Sequence, residues 1–508
     1  MGQSVFDKGS TPGDRALALP PLPDSDPPPE TPVATAGLGS RALRNTVLVL
    51  TAKVIGRLIA LVTVIATLRY LTPAPYGTFV TLVNYTAIVS VVLDLGFNVL
   101  YVREGARHPA DIQRYLRNVM SLRLVMAVGS LVILAVALTL AGLNNLLVPG
   151  FVLMVLTSYS TLLRNTLYAV QRLGYEAIAV VLESAVLLGL VVIGIKIGAG
   201  VTYFVWAYAA QYAFSCTYFA VVLWWKKIAI IGWEFEPVLL RVWFFQGLPF
   251  ALTFVLTILY FKVDQPILYA LRPHVEAGWY AAAYKPFEAL LFIPMTLLSV
   301  VFPVLSVYFR ERPQELADAV SRFFKALLVV GWPIAVGLLM LAHPLTTMFL
   351  YPQSEPALQI LALALALGFV NNAFIGALSA SDRQLSFTWA AGWSLVANVA
   401  LNLILIPFFG YLGASWATVL TEVVLGVAGW IFTARYIGRV PVLQLTWRPI
   451  LAGLVMGAVI YPLRNLDGVQ LIIPIVVGAV VYAGAALLLR AITSDEIAFA
   501  RRALALAR

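Results

Sequence analysis

The sequence has few charged residues, a single cysteine and three histidines. Only 11% of its 508 residues are charged, whereas 61% are hydrophobic. A soluble protein needs roughly 25% charged residues to cover its surface, so most of the outer surface of this chain must face lipid. The lone Cys216 excludes an internal disulfide and a cysteine-cluster metal site. The histidines are scattered, which disfavours a histidine-based metal site.

Signatures of enzymes are also absent from the sequence. No HExxH, Walker loop, GxSxG or CxxC motif occurs, so we expect neither an enzyme nor a cofactor or metal. The net charge of +10 would suggest nucleic-acid binding in a soluble protein. Membrane proteins, however, keep Lys and Arg on cytoplasmic loops. Topology therefore accounts for the charge, and we expect no nucleic acid as a partner.

The sequence is rich in long apolar runs. Spans of about 20 apolar residues recur, each long enough to cross a hydrocarbon core of roughly 30 Å. The runs are continuous rather than alternating, which favours helices over strands. We predict an all-α polytopic membrane protein with about fourteen transmembrane helices. The expected spans are 46–69, 77–102, 118–142, 148–170, 177–197, 201–224, 243–271, 277–307, 323–343, 355–380, 386–408, 413–436, 448–463 and 470–490.

The basic residues of the loops predict the orientation. Most of them fall on one side of the predicted bundle, and the other side has only Arg69, Lys196, Arg272 and Arg464. The positive-inside rule places the richer side in the cytoplasm. We therefore expect a multi-pass protein of the plasma membrane with both termini in the cytoplasm.

The two ends of the chain differ from the spans. Residues 1–41 are rich in proline, including Pro20-Pro21 and Pro27-Pro28-Pro29, which predicts a disordered cytoplasmic tail. Residues 492–508 carry Ile497, Phe499, Leu504 and Leu506 beside Arg501 and Arg502, which predicts a short interfacial helix on the inner leaflet.

A short motif occurs twice, about 200 residues apart. Each copy has a proline, a glycine and an aromatic residue in an outer turn: Pro73, Gly77 and Phe79, then Pro273, Gly278 and Tyr280. Six spans separate the copies, so the repeat is parallel rather than inverted. This predicts two six-helix lobes, residues 42–230 and 231–440, with a substrate cleft between them. Residues 441–508 would add two more helices and a cytoplasmic tail.

Ionisable side chains inside the predicted spans are the candidate functional residues, because such groups usually face a cavity or a partner. The cations are Lys53, Arg57, Arg164, Lys262 and Lys285, and the carboxylates are Asp94, Glu183, Asp264, Glu288 and Glu422. The two sets are equal in number, so the count does not establish a cationic cavity. Snorkelling towards the headgroups is the simple alternative for the first three cations. An ion pair is the simple alternative for Lys285 and Glu288, which are three residues apart. We place Arg123 at the membrane interface.

Both predicted lobes contain motifs of a known family. Leu71-x-Pro73-x-x-Tyr76-Gly77 is followed by Asp94-Leu-Gly-Phe97 and Arg103, and later by Gly278-Trp-Tyr-Ala-Ala-Ala-Tyr-Lys285 and Phe302-Pro-Val-Leu-Ser306. This pattern resembles Wzx-type polysaccharide flippases of the multidrug/oligosaccharidyl-lipid/polysaccharide (MOP) exporter superfamily. The resemblance covers roughly residues 42–440.

The resemblance implies a V-shaped, MATE-like transporter with alternating access. Its substrate would be an undecaprenyl-diphosphate-linked oligosaccharide, moved to the outer leaflet, with membrane lipid and polysaccharide polymerase machinery as further partners. A diphosphate prefers Arg and Lys, so the expected substrate-binding residues are Lys53, Arg57, Arg164, Lys262 and Lys285. Ion coupling or charge balance would fall to Asp94, Asp264 and Glu288.

Three other functions stay open from the sequence. A cation-coupled drug exporter of the same superfamily would need an acidic or aromatic cavity, for which Asp94, Asp264 and Glu288 are candidates. A flippase for the lipid-linked peptidoglycan precursor would share the fourteen-helix fold. A membrane-embedded glycosyltransferase or ligase would act on similar lipids, but the sequence has no large soluble loop for its catalytic residues.

Overall fold

The computed structural model describes residues 38–349 and 351–491, and every regular element in these ranges is a helix. The predicted proline-rich tail (except for residues 38–41) and the predicted interfacial helix at 492–508 lie outside the described residues. The chain divides into two units, 1–47 and 48–508, and all contacts below lie within the second. The helices are α1 (Leu38–Tyr70), α2 (Pro73–Asp94), α3 (Phe97–Arg107), α4 (Ile112–Leu140), α5 (Leu147–Ala169), α6 (Leu173–Lys196), α7 (Val201–Trp225), α8 (Pro237–Lys262), α9 (Asp264–Leu271), α10 (His274–Leu290), α11 (Phe292–Glu311), α12 (Leu316–Met340), α13 (Ala342–Phe349), α14 (Glu355–Ala380), α15 (Gln384–Tyr436), α16 (Val442–Ile460) and α17 (Ile472–Leu488).

The helices confirm an all-α polytopic membrane fold. Within the described residues, eleven helices are long and apolar enough to cross a membrane, or twelve if the halves of α8 count as one span bent by 55°. The count of fourteen stays a prediction. Two of the expected spans correspond to α15, which has 53 residues and a non-helical backbone at Gly410 (φ 57°, ψ −136°). The expected span at 201–224 corresponds to α7. This helix is not among the eleven, because its tyrosines and Gln211 lower its hydropathy.

Three predicted spans are interrupted in the structure. The span at 77–102 breaks between α2 and α3, where Leu95 has φ 33° and Gly96 has φ 76°. The span at 243–271 breaks at Val263, one residue before Asp264 opens α9. Pro266 lies in the first turn of α9, where the missing N–H costs no helical hydrogen bond. The span at 277–307 breaks at Leu291.

Helix α2 lies at the centre of the packing. It contacts α4, α5 and α7 from the first half of the chain, and α8, α9 and α10 from the second half. The largest apolar core contains buried side chains from α2, α5, α10 and α14. The last two helices, α16 and α17, pack on each other and on α12 around a separate apolar cluster. The division into two lobes stays a prediction, but α2 and α10 are where the two halves of the chain meet.

The connection between α7 and α8 is held to the first half of the chain. Arg114 of α4 donates from Nε to Glu236 at 2.7 Å and makes a second hydrogen bond to the same carboxylate. Arg117 donates to Glu234 at 2.6 Å. The guanidinium of Arg114 holds the pKa of the Glu236 carboxyl below its usual value. The connection is therefore anchored to α4 up to the residue before α8 begins.

The orientation in the membrane stays a prediction from the loop charges. Following it, we call the ends of the spans near Tyr70, Pro73 and His274 the outer end, and the opposite ends the inner end. In this frame α1 runs outwards to Tyr70, and α10 with α11 runs inwards from His274.

Candidate functional site

One face of α10 and α11 has a cluster of charged side chains. Lys285 and Glu288 of α10 are three residues apart, so they lie on the same face of that helix, and Phe292 begins α11. Glu288 accepts hydrogen bonds from Lys285 at 3.1 Å and from Lys262 of α8 at 2.7 Å. Lys285 and Glu288 therefore form the ion pair that was the simple alternative for these residues. A single carboxylate therefore balances two lysines at this place.

Arg57 of α1 extends the same face towards the inner end. Its guanidinium carbon lies 3.9 Å from the centre of the Phe292 ring. In the described part of the chain, Arg57 has no carboxylate partner, and the residue is exposed. Arg57, Lys262 and Lys285 thus give three cations against one carboxylate. We call Arg57, Lys262, Lys285 and Glu288 the cationic strip.

The strip lies where the two halves of the chain meet. A small cavity beside it is lined by Val80 and Asn84 of α2, and by Lys262, Tyr284 and Lys285 from the second half. The lysine side chains are 23% and 32% exposed, so they are not sealed into the packed core. The partly exposed lysines of the strip therefore lie beside the amide of Asn84 and the side chain of Tyr284.

The two other predicted cations lie in a separate cluster in the first half. Arg164 donates to both oxygens of Glu183, at 2.9 and 2.6 Å, and lies 3.5 Å from Glu176. Lys53 lies 3.7 Å from the same Glu176. Ser215 donates a further hydrogen bond to Glu183. Two cations therefore face two carboxylates, and this cluster carries no excess positive charge.

Asp94 binds a residue that the sequence placed wrongly. Arg123 was expected at the membrane interface, but its side chain is only 1% exposed. It donates to Asp94 at 2.6 Å and to Asn98 at 2.9 Å, and also bonds to Ser158. Asp94 in turn accepts from Asn98 at 2.6 Å. The partly buried carboxylate of Asp94 offsets the cost of burying the guanidinium of Arg123.

Asp264 has a different environment, made of neutral polar groups. Asn402 donates to Oδ1 at 2.9 Å, and Tyr280 and Thr418 donate to Oδ2 at 3.0 and 3.2 Å. No cation pairs with Asp264 among the residues described, although the residue is 3% exposed. The Oδ1 atom of the same Asn402 amide is buried without a hydrogen-bond partner. We call Asp264, Tyr280, Asn402 and Thr418 the Asp264 cluster.

The outer end is closed by contacts between the two halves. Tyr351 donates to the backbone carbonyls of Leu68 and Leu71 at 2.8 and 2.5 Å. Gln265, next to Asp264 in sequence, donates to Thr81 of α2 at 3.2 Å. The Asp264 cluster is therefore connected through one residue to the contacts that close the outer end.

Sequence reasoning found the charged residues but missed most of their partners. The presence of charged residues within otherwise apolar spans was sufficient to identify Lys262, Lys285 and Glu288. Asn402, Thr418 and Tyr351 are ordinary polar residues in long spans or loops, and their partners lie more than 130 positions away. No local signal in the sequence indicates these contacts.

Comparison with solved structures identifies the fold. The chain resembles a lipid II flippase, MurJ, in an inward closed conformation, with a TM-score of 0.71 and 15% identity over 88% of this chain and 99% of that one. It also resembles an inward-facing multidrug resistance MATE family transporter of the MOP superfamily, with a TM-score of 0.64 and 15% identity over 77% and 98%. An outward-facing MATE structure gives 0.53 and 16% over 77% and 95%. These structures are transporters and flippases, not enzymes.

A family model places the sequence more specifically. No curated protein sequence matches the chain. The model of the family described as "Polysaccharide biosynthesis protein" matches residues 42–309, which is more than half of the chain and includes α2, α10 and the whole cationic strip. The chain therefore belongs to the polysaccharide biosynthesis protein family and has the fold of the MOP exporter superfamily.

Proposed function

We propose that this protein is a flippase that moves undecaprenyl-diphosphate-linked oligosaccharide units from the inner to the outer leaflet by alternating access. The observation that carries the proposal is the cationic strip, with three cations and one carboxylate between the two halves of the chain. The family is one of polysaccharide biosynthesis, which supports a lipid-linked sugar as the substrate class.

The strip suits a diphosphate for electrostatic reasons. A charged side chain inside a membrane is costly unless it has a partner, and a diphosphate would supply the negative charge that the strip lacks. Arg57 would contribute a planar guanidinium able to bind two phosphate oxygens. Lys262 and Lys285 would exchange part of their contact with Glu288 for the phosphate. Lys53 and Arg164 would instead hold α1, α5 and α6 together through their ion pairs.

The contacts at the outer end support access from the inner side in this conformation. Tyr351 and Gln265 link the second half of the chain to α1 and α2 there. Opening towards the outside would break these hydrogen bonds, and the inner ends would then have to close. Two alternately formed sets of contacts are what alternating access requires.

We further propose that Asp264 is the coupling residue, whereas Asp94 and Glu288 balance cations. A carboxylate, a threonine hydroxyl and an amide oxygen without a hydrogen-bond partner are ligands that suit a small hard cation. A proton on Asp264 is the other ion that this cluster would accept. Either ion would neutralise the unpaired negative charge of Asp264. Gln265, the next residue in the sequence, would link this change to the contacts at the outer end through its hydrogen bond to Thr81.

A leaflet assay tests the proposal. The purified protein is reconstituted into liposomes with fluorescent undecaprenyl-diphosphate oligosaccharide, and translocation is followed by a membrane-impermeant quencher. The double variant Arg57→Ala/Lys285→Ala should reduce the rate by about tenfold or more, since each lost charged hydrogen bond is worth roughly 1.5–3 kcal/mol. Lys196→Ala removes an exposed lysine at the outer end of α6 and should have no effect. An unchanged rate in the double variant at equal protein level would refute the assignment.

A further inference from the structure

The second half of the chain contains a cavity that the cationic strip does not use. It has a volume of about 260 Å³ and lies between α8, α11, α14 and α15. Engineered cavities of about 150 Å³ hold benzene, so this one has room for a larger single-ring molecule. Most of its lining side chains are leucine, isoleucine, methionine and phenylalanine, including Phe261, Met295 and Phe387, and the neutral polar ones include Thr257 and Asn372. An apolar group of the size of a substituted single ring would therefore fit in the cavity.

A single carboxylate forms the polar end of the cavity. Glu422 is 3% exposed. It accepts a hydrogen bond from Tyr260 at 2.8 Å and one from Asn371 at 2.7 Å. Neither partner carries a positive charge, and no Lys or Arg in the described ranges pairs with Glu422. An intramembrane carboxylate without a cation indicates a functional site, and here the carboxylate faces an open space.

The lining selects among possible occupants. Calcium and magnesium ions take six or more oxygen ligands, which walls made mostly of hydrocarbon do not provide. A sugar would leave most of its hydroxyl groups unpaired, because the few neutral polar side chains, such as Thr257 and Asn372, are surrounded by hydrocarbon. A diphosphate would be repelled by Glu422. An organic ammonium ion fits, because its charge can lie near the carboxylate and the aromatic rings while its apolar part fills the cavity.

We propose that this cavity is a binding site for an organic ammonium ion with an apolar or aromatic substituent. Glu422 provides the charge partner, the rings of Tyr260, Phe261 and Phe387 surround the cation, and the aliphatic side chains contact the substituent. The proposal does not depend on the flippase function, because no residue of the cationic strip lines this cavity and the two sites carry opposite charge.

Calorimetric titration of the purified protein with benzyltrimethylammonium tests the site. We expect saturable binding to the intact protein and at least a tenfold loss of affinity in Glu422→Gln. Asp467→Asn is the control, because it removes a carboxylate at an exposed position between α16 and α17 that does not line the cavity. Its affinity for the ammonium ion should equal that of the unchanged protein.

Two further measurements test separately whether binding requires the space of the cavity and the positive charge of the ligand. Ala391→Phe fills the cavity while leaving Glu422 and its hydrogen bonds in place, and it should also abolish binding. The neutral analogue neopentylbenzene should bind at least tenfold more weakly than the ammonium ion to the unchanged protein. Absence of binding to the intact protein, equal affinity in Glu422→Gln, or equal affinity for the neutral analogue would each overturn the proposal.

Discussion

Gly77 of α2 and Gly278 of α10 are in direct backbone contact at the outer end. A Cβ atom on Gly77 would lie 2.6 Å from the backbone nitrogen of Gly278, and one on Gly278 would lie 1.9 Å from the carbonyl oxygen of Pro73. Small residues allow such close approach between membrane helices. These are the glycines of the repeated motif, so the two copies meet at the place where the halves of the chain cross.

Replacing Gly77 by alanine should force α2 and α10 apart, because backbone atoms cannot move aside as a flexible side chain can. We expect a loss of about 1–3 kcal/mol for the closed outer end. Labelling of single cysteines at the outer end, in a background lacking Cys216, should therefore become faster. Gly189→Ala is the control, since nothing lies within 4 Å of that position. Equal labelling in both variants would contradict the role of the crossing.

Tyr351→Phe should also weaken the closed outer end, by a different route. The variant keeps the ring but loses the hydroxyl that bonds to Leu68 and Leu71. Each hydrogen bond contributes about 0.5–1.5 kcal/mol, so the closed population should fall several-fold relative to the open one. Distance measurements between spin labels on the outer ends of α1 and α14 would show the shift.

The control for this variant is Tyr203→Phe. Tyr203 also donates to a backbone carbonyl, that of Leu190, at 3.0 Å, but both residues belong to the first half of the chain. Loss of that bond should leave the label distances unchanged. Indistinguishable distance distributions in the two variants would show that Tyr351 does not hold the outer end closed.

Removal of Asp94 should destabilise the protein strongly. Asp94→Ala leaves the guanidinium of Arg123 buried without its charge partner, and breaking a buried pair in this way costs about 3–5 kcal/mol. The melting temperature in detergent should fall by several degrees. The double variant Asp94→Ala/Arg123→Met should recover most of the loss, since no charge is then left unpaired. A double variant as unstable as the single one would mean that packing, not charge, is responsible.

The sequence was sufficient for the class of fold but not for the partners of the charges. Continuous apolar runs predict membrane helices, because a bilayer requires them whatever the tertiary structure. Arg123 shows the limit of this reasoning. It lies near a span end where snorkelling is the simpler expectation, and only tertiary packing brings Asp94 and Ser158 to it.

The predicted cations fall into two separate clusters because of tertiary contacts that no local sequence pattern specifies. Arg164 and Lys262 look alike as single cations within apolar helices. The first faces two carboxylates, while the second shares one carboxylate with another lysine. Charge balance depends on which helices pack together, so only the structure separates the neutral cluster from the cationic strip.

Asp264→Asn should uncouple transport from its driving ion. The change keeps the shape of the side chain but removes the negative charge that a sodium ion or a proton would neutralise. Flipping by the unchanged protein should accelerate about tenfold or more when a gradient of the coupling ion is imposed across the liposome membrane, whereas the variant should show the same slow rate with and without a gradient. Asp382→Asn, at an exposed turn between α14 and α15, is the control and should keep the gradient dependence.

Separate gradients of sodium and of protons distinguish the two ions in this assay. Because Asn402 has a buried amide oxygen without a hydrogen-bond partner and Thr418 has a hydroxyl oxygen on the carboxylate, Asn402→Leu should abolish a response to sodium but leave a response to protons largely intact. A gradient response that survives in Asp264→Asn would show that the coupling ion binds elsewhere. That result would not affect the proposed role of the cationic strip in substrate binding, since the test of the strip follows the translocation rate without any imposed gradient.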